Sequence, residues 1–332
     1  MWLFAWSGID ALRRAISDER IECDLQEQDA MFVAAKPAAT KVLAAEQAAR
    51  AAGGFSSQLY SQSELSGVLG SAEYAGGLAF TGTFSIDGHR CCLGLRKGLL
   101  EAGVRIFEHS PVTQILRDGI TTAAGSIRAE AVLVCADRFL PSLGLAPFEV
   151  YHAQTFLAIS EPLRDSVRAI VFPDRPMMVW DTDLVYHYFR LTGDQRLLVG
   201  GGTLMSTYSR QEEHQPQKVT RRLSRYLTRH FPALPIRFAA CWPGLIGISK
   251  DFGPVIGRHL DFPMVHFAGA GAGLPWAAAL GGYLADRLID KRCDLDEMLS
   301  DRRRFPVGRR VQRCLGKPAT FALAHGMKKF AR

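Results

Sequence analysis

The stretch that most constrains this chain lies late in it, between Cys241 and Asp290. Met264, Val265, His266, Phe267 and Ala268 form a short apolar run with the pattern of a buried strand, and Gly269, Ala270, Gly271, Ala272 and Gly273 follow at once. Pro275 suits the first turn of a helix in which Trp276, Leu280, Tyr283, Leu284, Leu288 and Ile289 recur at helical spacing. A strand, a glycine bend and a helix N-terminus bring bare N–H groups and the positive end of a dipole to one point, a natural seat for negative charge. The glycine spacing is not G-x-G-x-x-G, and no second strand follows to complete a βαβ unit, so a pyrophosphate is a weak reading. Contact with some other part of a cofactor and a close-packed strand-to-helix turn both satisfy these residues. Just upstream, Trp242, Gly244, Gly247, Ser249, Asp251, Pro254 and Gly257 predict an ordered loop, being too dense in turn formers for a regular strand.

With 332 residues, 48% of them hydrophobic, the chain can bury a large core and is expected to form two intergrown domains. No apolar run is long enough to span a membrane, and the opening Met1 to Trp6 lacks the length and basic flank of a secretory signal. Seven cysteines without a C-x-x-C pair suggest neither zinc nor a disulfide framework, and predict a reducing, cytoplasmic setting. The net charge of +7 is concentrated: residues 291–332 hold twelve Lys/Arg and four Asp/Glu, so the rest sums to −1. A basic tail on a neutral body suits an anionic membrane face or a docked terminal helix from Pro318 to Arg332, with Phe321, Leu323 and Met327 apolar. The body carries no pattern of a nucleic-acid reader.

Along the chain, 9–16 reads as a helix, 21–25 and 30–34 as strands, 37–52 as an alanine-rich helix, and Ser63 opens a short helix. A helix over 88–103 follows, then strands at 104–108, 112–117 and 131–136 around turns at Asp118, Gly119 and Ala124, Gly125. From Tyr151 to Arg237 the pattern is mainly strands, at 154–160, 177–181, 184–191 and 196–200, and then a helix at 219–231. Alternation puts Tyr186, Tyr188 and Arg190 on one face, with His187 and Phe189 on the other.

Trp242, Pro243 and Gly244, the Asp251, Pro254, Gly257 spacing, the 264–268 strand and the 269–273 glycine turn together resemble the C-terminal signature of the D-amino acid oxidase superfamily of FAD-dependent oxidoreductases. The resemblance covers about residues 20–290. It implies an α/β fold in which a partial, Rossmann-like FAD-binding domain is intergrown with an antiparallel substrate sheet. The expected division is 1–150 and 241–290 for the flavin side, 151–240 for the substrate side and 291–332 for the tail. By the same resemblance, Gly244, Asp251, Pro254, Gly257, Gly269, Gly271, Gly273 and Leu274 border the flavin, and the helix N-terminus faces its N1–C2=O edge. Val112 and Ala136 would approach the dinucleotide. The family usually ends the latter strand in an alanine, glycine and tryptophan pattern, whereas this chain reads Cys135, Ala136, Asp137, Arg138.

The reaction implied is hydride removal from the carbon beside an amine, delivered to flavin N5. Arg190 would clamp a substrate carboxylate, with Tyr186 or Tyr188 as hydroxyl donor; a strand-end surface arginine is the plain alternative. Trp180, Trp242 and Trp276 would line an amine cage or serve as core aromatics. His89, His187 and His266 lie near the proposed segments, more often the setting of satisfied histidines than of catalytic ones. Cys241 beside Trp242 is too loose a match for covalent flavin. By the resemblance, a full-length member opens with G-x-G-x-x-G, absent here, and the expectation is that about a hundred residues are missing. The rival expectation is therefore a non-catalytic remnant, or one half of a split flavoprotein whose partner supplies that unit and pairs with an exposed sheet edge.

Overall fold

A computed structural model describes residues 2–208, 215–271, 273–289 and 295–330; Ala272, Asp290 and Arg332 of the segments above lie outside them. In chain order the elements are α1 (Trp2–Asp18), β1 (Gln26–Glu27), β2 (Asp29–Val33), α2 (Thr40–Ala52), β3 (Gln58–Ser61), α3 (Gln62–Val68), β4 (Gly76–Phe80), β5 (Phe84–Ser85) and α4 (Gly88–Glu101). Then come β6 (Val112–Leu116), β7 (Gly119–Thr122), β8 (Gly125–Arg128), β9 (Val132–Val134), β10 (Val150–Pro162), α5 (Asp165–Val171), β11 (Met177–Asp181), β12 (Tyr188–Leu191), β13 (Arg196–Gly201), α6 (Leu204–Tyr208) and α7 (Pro216–His230). The chain closes with β14 (Phe238–Ser249), β15 (Val255–Arg258), β16 (Val265–Gly269), α8 (Leu274–Leu288), α9 (Asp296–Leu299) and α10 (Arg309–Phe330).

Several boundaries have visible local causes. Ser61 and Glu64 form a reciprocal capping box, so α3 opens at Gln62, one residue before the expected start. The Asp87 carboxylate accepts from the N–H groups of His89 and Arg90 and starts α4. Residues 21–25 and 104–108 are not strands. The first turns sharply at Asp24 (φ 51°), whose carboxylate accepts from Gly193 N, and the second is exposed and has no ladder partner. The 184–191 strand starts only at Tyr188, because the Asp181 carboxylate takes the N–H groups of Asp183 and His187 and holds the intervening chain in a turn.

Residues 241–249 depart most from the expected structure. This segment is no loop: β14 is a long edge strand, paired antiparallel with β10 from Phe238 opposite Ser160 to Ser249 opposite Val150. An edge position tolerates Pro243, and long-range pairing with β10 outweighs the poor strand propensity of the glycines. Only 250–254 is irregular before β15 begins.

The eight-stranded sheet runs β14-β10-β13-β12-β11-β2-β4-β3 and is antiparallel except where β2 meets β11. Three of its strands come from before residue 150, so the sheet joins the early and middle parts of the chain. One face, carrying Met31, Val179, Phe189, Val199 and Phe156, packs on Leu223, Leu227 and Phe231 of α7 and its end to make the main core. Beside it, a small sheet of order β15-β16-β9 pairs β9 parallel with β16, and a β6-β7-β8 meander flanks it. Within this small sheet β9 has one edge without a strand among the described residues.

The basic tail is a docked helix. Gly316 (φ 73°) breaks α10, and the second half buries Phe321, Ala324 and His325 completely, with Phe321 against Tyr151 at 5.3 Å between ring centroids. The Ser249 carbonyl can only accept, so His325 Nε2 carries the proton it donates there (2.7 Å), and Nδ1 accepts from Tyr208 Oη (2.7 Å). Both ring nitrogens are thus used by the neutral imidazole, and burial pushes its pKa down to about 4; His230, also chiefly through burial, lies at about 4. A folded pKa below the unfolded value of about 6.5 makes the unfolded state bind more protons, so stability is present above that pH and is lost as pH falls toward 4. The urea midpoint should therefore drop between pH 7 and pH 5, and His325→Gln should remove part of that slope while His230 keeps the rest. Equal slopes in the two proteins would rule out this assignment.

Candidate active site

The face of the large sheet opposite the core is read directly from its register. Phe32 pairs with Trp180, Trp180 with Tyr188, Tyr188 with Gly200, Gly200 with Leu157 and Leu157 with Trp242, one row across six strands. Directly paired residues point to the same side of a sheet, so this row is a largely apolar, aromatic surface. Gly200 is required in it: a side chain there would overlap the Tyr188 ring, which crosses the neighbouring strand at that point. In the adjacent row Arg190 pairs with Leu198.

Phe32, Leu157, Trp180, Tyr188, Arg190 and Leu198 of these rows line a cavity of 660 Å³ bounded also by Met178, Leu184, Tyr186, Phe252 and Lys328. Arg190 is half-buried at its wall. Its Nη1 donates to Ser85 Oγ (3.3 Å) and the Leu191 carbonyl (3.1 Å), and its Nη2 donates to the Ile86 carbonyl (3.1 Å). A guanidinium has five N–H groups, so Nε–H and one Nη2–H remain, and among the described residues no carboxylate forms an ion pair with it. Burial pushes its pKa down, with the nearby carboxylates of Asp24 and Asp87 opposing that shift. Tyr188 Oη lies 3.3 Å from Thr155 Oγ1, and burial raises the pKa of Tyr188 and Tyr186, so both hydroxyls stay protonated donors at neutral pH. Alternation along β12 turns Tyr188 and Arg190 to the cavity, and the turn before it adds Tyr186.

Other candidates separate. Trp180 and Trp242 occupy the same row four strands apart, roughly 19 Å at about 4.8 Å per strand, and Trp276 packs on Phe4 and Tyr283, so no three-tryptophan cage exists. His89 is exposed on α4, and His266 sits at the start of β16 rather than at the glycine turn. His187, in the turn before β12, stacks 4.0 Å from Tyr226 in a buried group in which Tyr226 Oη reaches Asp181 (3.1 Å) and Tyr74 Oη (2.8 Å). Cys241 packs at the edge of the main core. Val112 begins β6, 37% exposed, and Ala136 follows β9.

The glycine turn joins this cavity through the loop after β14. Phe252 lines the cavity, while Pro254 lies against Gly271, 3.5 Å from the place a Cβ would take there. Asp251 holds that loop. Its carboxylate receives Arg303 Nε (2.8 Å) and Nη2 (2.7 Å), Ser249 Oγ (2.7 Å) and Gly253 N (3.1 Å). Burial alone would raise its pKa, but Arg303 and these hydrogen bonds prevail and keep the carboxyl below the usual range. Its oxygens are committed to the loop. Lys328 of α10 donates to the Asp251 carbonyl, and Phe252 stacks on His325 at 3.7 Å.

Asp137 (φ 44°) pins the turn from the other side: Oδ1 accepts from Ala270 N (2.9 Å) and Oδ2 from Gly247 N (2.6 Å). Asp137, Arg303, Phe252 and Lys328 were not identified as site residues from sequence, although the departure from the usual pattern at 137 marked the position. Gly273 (φ 99°) leads into α8, which has neither a side-chain cap nor an acidic first turn, so its first N–H groups remain for a ligand. A Cβ at Gly273 would meet only Pro275 Cδ at 3.8 Å, and one at Gly244 only Thr155 Cγ2 at 3.7 Å. Leu274 beyond it is 43% exposed, whereas Gly257 and Gly269 are close-packing glycines whose Cβ would strike Phe267 and Leu140.

Residues 1–287 match the family of FAD dependent oxidoreductases named DAO. The chain belongs to this family. Among its relatives is a probable oxidoreductase, OrdL, of Haemophilus influenzae, 24% identical over 317 residues, covering 90% of this chain and 70% of the relative. D-amino acid dehydrogenase of Bradyrhizobium diazoefficiens is 27% identical over 236 residues, covering 68% of this chain and 53% of its own length. The crystal structure of glycine oxidase from Geobacillus kaustophilus superposes with a TM-score of 0.78 at 18% identity, covering 92% of this chain and 83% of that one, a likeness of fold. Across the curated relatives the chain spans from 48% to 70% of their length. FAD is the family's cofactor. The open glycines and uncapped α8 N-terminus beside the aromatic sheet face fit the flavin end of such a molecule.

Proposed function

We propose that this chain forms the substrate face and flavin edge of an enzyme that oxidises the C–N bond of a small amine or amino acid. The observation that carries the reading is the juxtaposition of a cavity holding a half-buried arginine without an ion-pair partner among the described residues and, across Pro254 from its wall at Phe252, a glycine turn that is open at Gly273 before a helix N-terminus. When bound, FAD supplies the acceptor, at N5, for the hydride leaving the carbon beside the amine. Arg190 offers Nε–H and Nη2–H to the substrate carboxylate in a bidentate clamp. Tyr188 and Tyr186 offer O–H groups, and the Phe32, Trp180 and Leu157 surface excludes water around the C–H bond. The amine gives up its N–H proton to solvent as the imine forms, and water hydrolyses the imine. No side-chain base is required for this sequence of events.

The substrates named for the relatives, a D-amino acid, glycine and γ-glutamylputrescine, are all amines, which supports the class rather than any one compound. The edge of β9 that has no strand partner among the described residues favours a second reading, in which a separate nucleotide-binding unit must pair there before catalysis. The visible absorption spectrum of the purified chain, before and after incubation with FAD and desalting, separates the two. Retained flavin bands that bleach with a panel of amines and amino acids are expected for the first. A folded, monodisperse chain that retains no flavin would overturn it in favour of the second.

A further inference from the structure

A separate cavity of 860 Å³ lies between the segment 144–149, the β15–β16 turn and the 301–309 segment, and shares no lining residue with the aromatic cavity. Arg258 at its wall pairs with His266, near the amino end of β16, whereas the glycine turn follows the carboxyl end at Gly269. Ligands of parallel strands gather at carboxyl ends, so this second cavity lies at the opposite end from the one where a family cofactor is expected. Its charge is distinctive. Lys250, Arg258, Arg302, Arg303, Arg304 and Arg309 line it, against Glu149, Asp261 and Asp301. Arg303 is committed to Asp251, and Arg309 to Glu149, with Nε at 2.9 Å. Among the described residues Lys250, Arg258, Arg302 and Arg304 have no ion-pair partner.

Lys250 is the telling residue. It is 1% exposed, its Nζ stands 5.7 Å from the Phe305 ring centroid and 5.9 Å from that of Phe321, and it has no hydrogen-bond acceptor among the described residues. Two rings and the more distant carboxylate of Glu149, itself tied to Arg309, give the ammonium partial compensation, less than a directly bound carboxylate or phosphate would. A buried cation of this kind, with arginines on the same wall, is arranged for an anion brought from outside. The volume lies within the range of small-molecule sites and exceeds what one phosphate fills.

We propose that this cavity binds a small polyanion bearing at least two phosphate or carboxylate groups, with Lys250 as the buried anchor and Arg258, Arg302 and Arg304 as the outer clamps. The site does not depend on the flavin reading. Isothermal titration of the full chain with pyrophosphate and with citrate, each against sodium chloride of matched ionic strength, tests it. Saturable binding of either is expected; pyrophosphate alone assigns a phosphorylated ligand, citrate alone a polycarboxylate, and both the shared chemistry. Lys250→Met should weaken that binding at least 100-fold while leaving the unliganded melting temperature equal or higher, since the substitution removes a buried charge that lacks a directly bound anion. A structural lysine would instead lower it. Arg258→Ala combined with Arg302→Ala, two exposed positions outside the ion pairs of the fold, should weaken binding at least tenfold and decides the matter should the lysine variant fail to fold. Heats no larger than those of sodium chloride, or unchanged binding in the variants, overturn the proposal.

Discussion

Replacing Arg190 with methionine is expected to lower kcat/KM for an amino acid substrate by roughly 100- to 1000-fold, while an amine without a carboxylate is oxidised at nearly the original rate. The first number follows from losing two charge-assisted hydrogen bonds of about 1.5–3 kcal/mol each, discounted for partial replacement by water. The second follows from the clamp having nothing to hold in such a substrate. Arg190 also ties its strand to Ser85 and Ile86, so the variant should melt at lower temperature, and flavin retention must be measured beside the rates. Lysine at this position would keep the charge but not the fork, and should recover only part of the loss. Equal losses for both substrate types would assign Arg190 to the fold alone.

That Arg190 and Tyr188 share a surface was legible in the sequence, because strand alternation has period 2 and a one-residue slip would have exposed Phe189. The glycine turn and its helix were legible for a similar reason: an apolar strand, small residues and Pro275 each state a local preference. What local preference could not give was β14. Its glycines and Pro243 argue against a strand when read alone, and only the pairing with β10, some ninety residues earlier in the chain, reverses that judgement. The same limit hid Asp137, whose two amide partners lie 110 and 133 residues away, and the buried group of Asp181, Tyr226 and Tyr74. The tail announced a helix, but its partner, the loop that carries Phe252, is visible only in the fold.

The second large effect is expected at Arg303, a residue no motif marks. Arg303→Met should destabilise the protein by about 3–5 kcal/mol, the usual result of removing one partner of a buried ion pair and stranding the other. Arg303 and Asp251 are 10% and 17% exposed at their side chains, and the guanidinium also donates to the carbonyls of Leu299, Ser300 and Gly253, so its loss frees both the loop and the end of α9. The effect has a definite pH dependence. Asp251 has a folded pKa below its unfolded value of about 3.9, so the stabilisation is complete above that pH and is lost as pH falls through the folded value. Urea unfolding of wild type and variant should therefore differ by a constant amount from pH 7 to pH 5 and converge in more acid solution. Asp251→Asn in the variant background should restore part of the stability at pH 7, because the stranded charge is gone. Because Phe252 and Pro254 sit on this loop, flavin retention should fall in Arg303→Met and recover in the double variant. A variant as stable as wild type at pH 7 would show that Ser249 and Gly253 suffice to hold Asp251, and that the loop beside the glycine turn needs no arginine.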